Sequence, residues 1–166
     1  MKSSNALSAA ELLPAIKSRI IGNVAIVGIG NIIRGDDGLG PKLIEMLKGR
    51  PMGAKLFDCG TAPENYIFPI LASSCDTIVL IDAADIGAAP GGIKIFALEE
   101  ISNVSFSTHN PSPRLLTDLL KTGRDDLNMF VVSVQPKTTI LGAPMSKEVL
   151  QGLEILVNAF SEAING

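Results

Sequence analysis

A chain of 166 residues with 14 Lys+Arg against 17 Asp+Glu carries a formal charge of −3. It is long enough for one ordinary domain that buries roughly two-thirds of the surface of its unfolded form. Hydrophobic residues at 46% and charged residues at 19% exclude a disordered chain, and the mildly acidic balance argues against a nucleic-acid partner.

No apolar run approaches the ~20 residues of a spanning helix, so no membrane insertion is expected. The stretch from Met1 to Ile21 carries Glu11 in its apolar part and lacks the layout of a secretory signal, which predicts a cytoplasmic location. Cys59 and Cys75 form neither a C-x-x-C pair nor a dense framework, and they read as buried free thiols in a reducing compartment.

Ser8-Ala9-Ala10-Glu11 has the spacing of a capping box and predicts a short helix, although Pro14 would sit best in a first turn. Residues 1–22 read as a loosely specified leader within a single domain, 1–166. Asn23 to Ile29 predicts a buried strand ending in Gly28-Ile29-Gly30-Asn31. A loop through Gly35-Asp36-Asp37-Gly38 then leads to a helix from Pro41 to Lys48. Lys55 to Asp58 predicts a second strand, and an apolar segment interrupted by Pro69 runs to Ser73. Thr77 to Ile81 is a continuous β-rich run of the kind covered on both faces, stopping at Asp82. Further strands are expected at Ile93 to Phe96 and Phe130 to Val134, and helices at Pro113 to Lys121 and Ser146 to Ile164. The alternation predicts a three-layer α/β domain with a largely parallel sheet.

In such a sheet ligands bind beyond the carboxyl ends of the strands, where strand order reverses. Asp36, Asp37 and Asp82 lie where that rule looks, provided the first and third strands are neighbours. The single histidine, His109, follows on a later loop. Taken singly, one of the adjacent aspartates reads as a helix N-cap and His109 as a hydrogen-bonded structural residue. Together, two carboxylates from separate loops and an imidazole suit a divalent first-row metal, nickel or zinc. The glycine spacing G-x-G-x-x-x-x-G misses the dinucleotide fingerprint, and two aspartates would oppose a pyrophosphate there. A dinucleotide-dependent oxidoreductase is therefore the weakest alternative, and a non-enzymatic nickel carrier a stronger one. Cys59, with nothing local to activate it, reads as a small buried hydrophobe.

Four segments carry a resemblance: Gly28-Ile29-Gly30-Asn31 with Gly35-Asp36-Asp37-Gly38; Gly60-Thr61-Ala62-Pro63-Glu64-Asn65; Asp82-Ala83-Ala84-Asp85-Ile86-Gly87 leading to Pro90-Gly91; and Thr108-His109-Asn110 with Gln135-Pro136. In this order they resemble the NiFe-hydrogenase maturation endopeptidases, most closely the hydrogenase 3 type. The resemblance implies a protease that removes a C-terminal extension from the hydrogenase large-subunit precursor once nickel is installed. It implies a three-layer αβα fold with a mixed, mostly parallel five-stranded sheet in which Ile93 to Phe96 runs antiparallel. The family's metal-binding and catalytic positions fall on Asp37, Asp82 and His109. Nickel would come with the precursor, with no tightly bound private metal, and the compact domain is expected to act as a monomer. The leader to about Gly22 has no counterpart in members that begin at the first strand. Cys59 stands where related proteins commonly carry glycine.

Overall fold

The computed structural model describes residues 6–106 and 113–166. Its centre is a sheet in the order β2-β1-β3-β6-β4, built from β1 (Val24–Ile29), β2 (Ala54–Gly60), β3 (Thr77–Asp85), β4 (Ile93–Ala97) and β6 (Asn128–Val134). β1, β2, β3 and β6 run parallel, and β4 runs antiparallel to β6. A two-residue strand, β5 (Ser105–Phe106), pairs antiparallel with the end of β3 and makes a sixth strand that the sequence does not announce. The central strands are buried along nearly their whole length, as continuous runs of β-branched and aliphatic residues require when helices cover both faces.

One face packs against α1 (Ala9–Lys17), α2 (Leu39–Lys48) and α5 (Lys147–Asn165) through a core that includes Leu12, Ile16, Leu43, Leu47, Leu153 and Phe160. The other packs against α3 (Ile67–Ala72) and α4 (Pro113–Gly123) through Ile70, Leu116 and Leu120.

Within the expected leader, α1 is part of the core. Ser8 and Glu11 form the capping box, with the Ser8 N–H donating to the Glu11 carboxylate at 2.8 Å, and Pro14 is accommodated inside the helix. Leu12 and Ile16 are fully covered, each side chain contributing about 1.5–3 kcal/mol by burial. Pro69 is the third residue of α3, in the first turn, where a missing N–H costs nothing.

Two expectations are corrected. β3 does not stop at Asp82; it continues to Asp85 because β6 still pairs at Ala83–Val134 and β5 takes over at Ala84 and Asp85. Neither Asp36 nor Asp37 caps α2. Gly38 holds that N-cap without a side-chain bond, and both aspartates lie in the preceding 3₁₀ turn, Gly35–Gly38.

The start of α2 is pressed onto the tips of β1 and β3. A Cβ on Gly40 would meet the Ile29 backbone nitrogen at 2.5 Å and the Ile81 carbonyl oxygen at 2.8 Å, and one on Gly28 would meet the Gly40 carbonyl at 2.5 Å. The missing side chain at Gly40 thus permits the close helix–strand contact.

Candidate active site

β1 lies between β2 and β3, and the chain crosses over β1 to place β3 on its far side, so strand order reverses between β1 and β3. This is the switch point at which open α/β sheets bind ligands. Gly28 is paired with Ile81, which sets Asp82 level with the carboxyl end of β1 and the turn that carries Asp37. The expected neighbourhood of the first and third strands is thus present.

Asp82 alternates with Ile81 and Ala83, which face the α1/α2/α5 core, so its carboxylate faces the α3/α4 side along with Leu80 and Ala84. It is fully buried, and one carboxylate oxygen accepts the Ala83 N–H at 2.8 Å. Asp37 is 3% exposed. The Asn31 N–H, at the end of the β1 turn, donates to both its backbone carbonyl and its carboxylate, each at 3.2 Å. The turn is thereby closed on itself, with Asp37 held at the mouth of β1.

Asp36 is spent differently. It is fully buried and accepts four hydrogen bonds: from the backbone N–H groups of Lys137, Thr138 and Ser146 at 2.8, 3.1 and 2.7 Å, and from the Ser146 hydroxyl at 2.9 Å. Its own N–H donates to the Thr138 carbonyl at 2.8 Å. Since Ser146 caps α5, this carboxylate ties the 137–146 loop and the start of α5 to the turn that holds Asp37. Beside it, Lys137 and Glu148 pair at 2.8 Å, which raises the lysine pKa and lowers the glutamate's, each chiefly through their hydrogen bond.

His109 lies outside the described residues, as do Thr108 and Asn110. Among the described residues no three acid, cysteine or histidine side chains group to hold an ion by themselves. Gln135 closes the far wall: its side-chain oxygen accepts the Ile86 N–H at 2.8 Å and the Ala88 N–H at 3.4 Å, tying the end of β6 to the turn after β3.

Cys59 sits where the β1–β2 register slips between Asp58 and Gly60. Burial, and then the Asp58 charge, push its thiol pKa up to about 12. It is therefore a protonated thiol at neutral pH and no nucleophile, in agreement with the reading of it as a small hydrophobe.

Two surfaces adjoin the site. Ile32 and Ile33 (73% and 57% exposed) and Ile140 and Leu141 (70% and 61%) stand on two loops joined by the Gly142 N–H to Ile33 carbonyl bond of 2.7 Å. These large aliphatic side chains are left uncovered beside the Asp37 turn. A cleft of about 440 Å³ runs from Gly38 along Pro41, Lys42 and Lys48 of α2, faced by Pro144 and Met145; it adjoins the Asp37 turn, but neither candidate carboxylate lines it.

Known proteins match this arrangement in sequence and in fold. The family model for HycI, the hydrogenase maturation protease, matches residues 41–163. The hydrogenase 3 maturation protease of Escherichia coli K12 is 33% identical over 128 residues, covering 76% of this chain and 81% of that protein. The crystal structure of the NiFe hydrogenase maturation protease HycI from Thermococcus kodakarensis KOD1 superposes with a TM-score of 0.81 at 26% identity, over 92% of this chain and 99% of that one. The solution structure of the endopeptidase HycI from Escherichia coli gives 0.76 at 29% identity, over 84% and 90%. A matched model spanning most of the sequence, on a mixed sheet whose switch point holds two buried carboxylates, means that this chain belongs to the hydrogenase maturation protease family.

Proposed function

We propose that this protein removes a C-terminal extension from the large-subunit precursor of a NiFe hydrogenase after nickel insertion, and that Asp37, Asp82 and His109 receive the nickel carried by that precursor. The observation that carries the reading is that two buried carboxylates stand on separate elements at the β1–β3 switch point of a chain of this family. The path of the chain supports the third donor. β5 runs antiparallel to β3, its last residue Phe106 opposite Ala84, two residues past Asp82. Phe106 and Leu116 of α4 belong to the core on the face toward which Asp82 points. His109 is three residues beyond Phe106, and three residues span at most about 10 Å.

Two carboxylates and an imidazole are hard and borderline donors, suited to a divalent ion that keeps softer thiolate ligands on its own protein. In this reading the chain holds no tightly bound metal of its own, and sharing the precursor's ion makes recognition depend on that ion being there. When bound, the ion supplies Lewis acidity next to the peptide to be cut. The chain's own groups orient it: Asn31 and the Ala83 N–H fix the two carboxylates, and Asp36 fixes the turn. The exposed Ile32, Ile33, Ile140 and Leu141 favour a protein partner, which apolar side chains can grip beside the site. The reaction is assigned to the cytoplasm, in keeping with two free cysteines, with the chain acting as a monomer.

Replacing His109 by Ala is expected to abolish cleavage of nickel-loaded precursor, read as mass loss at its C-terminus, with the circular dichroism spectrum unchanged. Normal cleavage by that variant removes His109 from the site. Transfer of nickel from the precursor without any shortening would instead identify a carrier.

A further inference from the structure

Ser133 is the penultimate residue of β6, follows the apolar run Met129 to Val132, and is fully buried. Among the described residues its hydroxyl has no hydrogen-bond partner. A buried hydroxyl left unpaired is destabilising, so its presence in a packed strand calls for a reason. The parallel register sets Ser133 directly opposite Asp82. Side chains at paired positions of neighbouring strands point to the same face. Met129 and Val131, four and two residues before Ser133, belong to the α3/α4 core toward which Asp82 also points. The hydroxyl therefore stands beside the Asp82 carboxylate, one strand away.

Two described polar neighbours, Lys94 and Gln135, are engaged elsewhere. Lys94, its partner on β4, places its ammonium 4.9 Å from the centre of the Phe96 ring. Gln135, two residues along the same face, gives its side-chain oxygen to the Ile86 and Ala88 N–H groups.

We propose that Ser133 is a positioning residue: its hydroxyl donates a hydrogen bond to the Asp82 carboxylate when that carboxylate receives the precursor's nickel. The inference rests on the reading of Asp82 as a nickel-receiving group. Carboxylates that ligate a metal are themselves held by hydrogen bonds, which fix their orientation, and removing such a support weakens metal binding by about 10- to 100-fold. In the free chain one Asp82 oxygen accepts the Ala83 N–H. Seating the ion reorients the carboxylate, and Ser133 is the uncommitted donor on the neighbouring strand.

The test measures steady-state cleavage of nickel-loaded precursor and the melting temperature of three full-length proteins: the original, Ser133→Ala and Asp82→Asn. Ser133→Ala is expected to raise KM about tenfold with little change in kcat, because the hydroxyl acts on the seating of the ion. Its melting temperature is expected to stay or rise, since an unpaired hydroxyl has been removed; a merely structural serine would lower it. Asp82→Asn is expected to be inactive. Full activity of Ser133→Ala with Asp82→Asn inactive overturns this inference and leaves the function standing, as does a loss of activity accompanied by a lowered melting temperature. Full activity of Asp82→Asn overturns the site itself.

Discussion

The two ends of the sheet treat their polar residues in opposite ways. At the amino end every polar side chain of the central strands is answered by the chain itself. The Thr77 hydroxyl donates to the Ile21 carbonyl at 2.6 Å and accepts from the Ile21 N–H at 2.9 Å and from the Asn128 amide at 3.0 Å. Asn128 also donates to the Arg19 carbonyl, and Asp76 accepts the Asn23 N–H. At the carboxyl end the same strands carry Asp82 and Ser133, side by side and buried, with the serine hydroxyl unanswered among the described residues. The first end is built to hold, the second to receive, and mutations at the two ends should separate stability from activity.

Asp36 is the most exacting test of that division, because it stands at the receiving end and yet serves only the chain. Asp36→Ala strands three backbone N–H groups and a hydroxyl, and a loss of about 3–5 kcal/mol in urea unfolding is expected. A loss of processing without loss of stability would move Asp36 into the chemistry. Thr77→Val, at the holding end, keeps the shape and removes the hydroxyl. It should cost about 2 kcal/mol and leave the cleavage rate per folded molecule unchanged. A slowed rate there would break the comparison.

The smallest effect concerns Cys59, which shares the receiving end but takes no part in it. Its native thiol stays protonated at pH values where the unfolded thiol ionises. Stability from this group is therefore complete below the unfolded pKa and is lost as pH rises from there toward about 12. Unfolding measured at pH 8 and pH 10 should differ by about 1.4 kcal/mol more in the original protein than in Cys59→Ala. Equal differences would mean the thiol is not held neutral.

Much of this was legible in the sequence, for identifiable reasons. Thr77 to Ile81 and Phe130 to Val134 read as strands because both faces are covered and nothing interrupts the apolar run. The capping box of α1 was visible as a local pattern, whereas the burial of Leu12 and Ile16 depends on α5, more than a hundred residues away. Asp82 looked like a strand end because a charge normally ends an apolar run; its pairing with β6 and the extension onto β5 are matters of register. Asp36 and Asp37 look alike in sequence, and only the distant 137–146 loop separates their roles. Ser133 had no signal at all, because a serine in a strand acquires meaning only from what is hydrogen-bonded alongside it.

The first described residues bear on a different hazard. The Leu7 N–H donates to the Ile93 carbonyl at 2.8 Å, on β4, one of the two outermost strands of the main sheet. Outermost strands are templates on which other chains can stack, and a covering segment denies them that opening. Leu7 thus closes the first carbonyl of that edge, and replacing Leu7 by Pro, which has no N–H to donate, would be expected to open it.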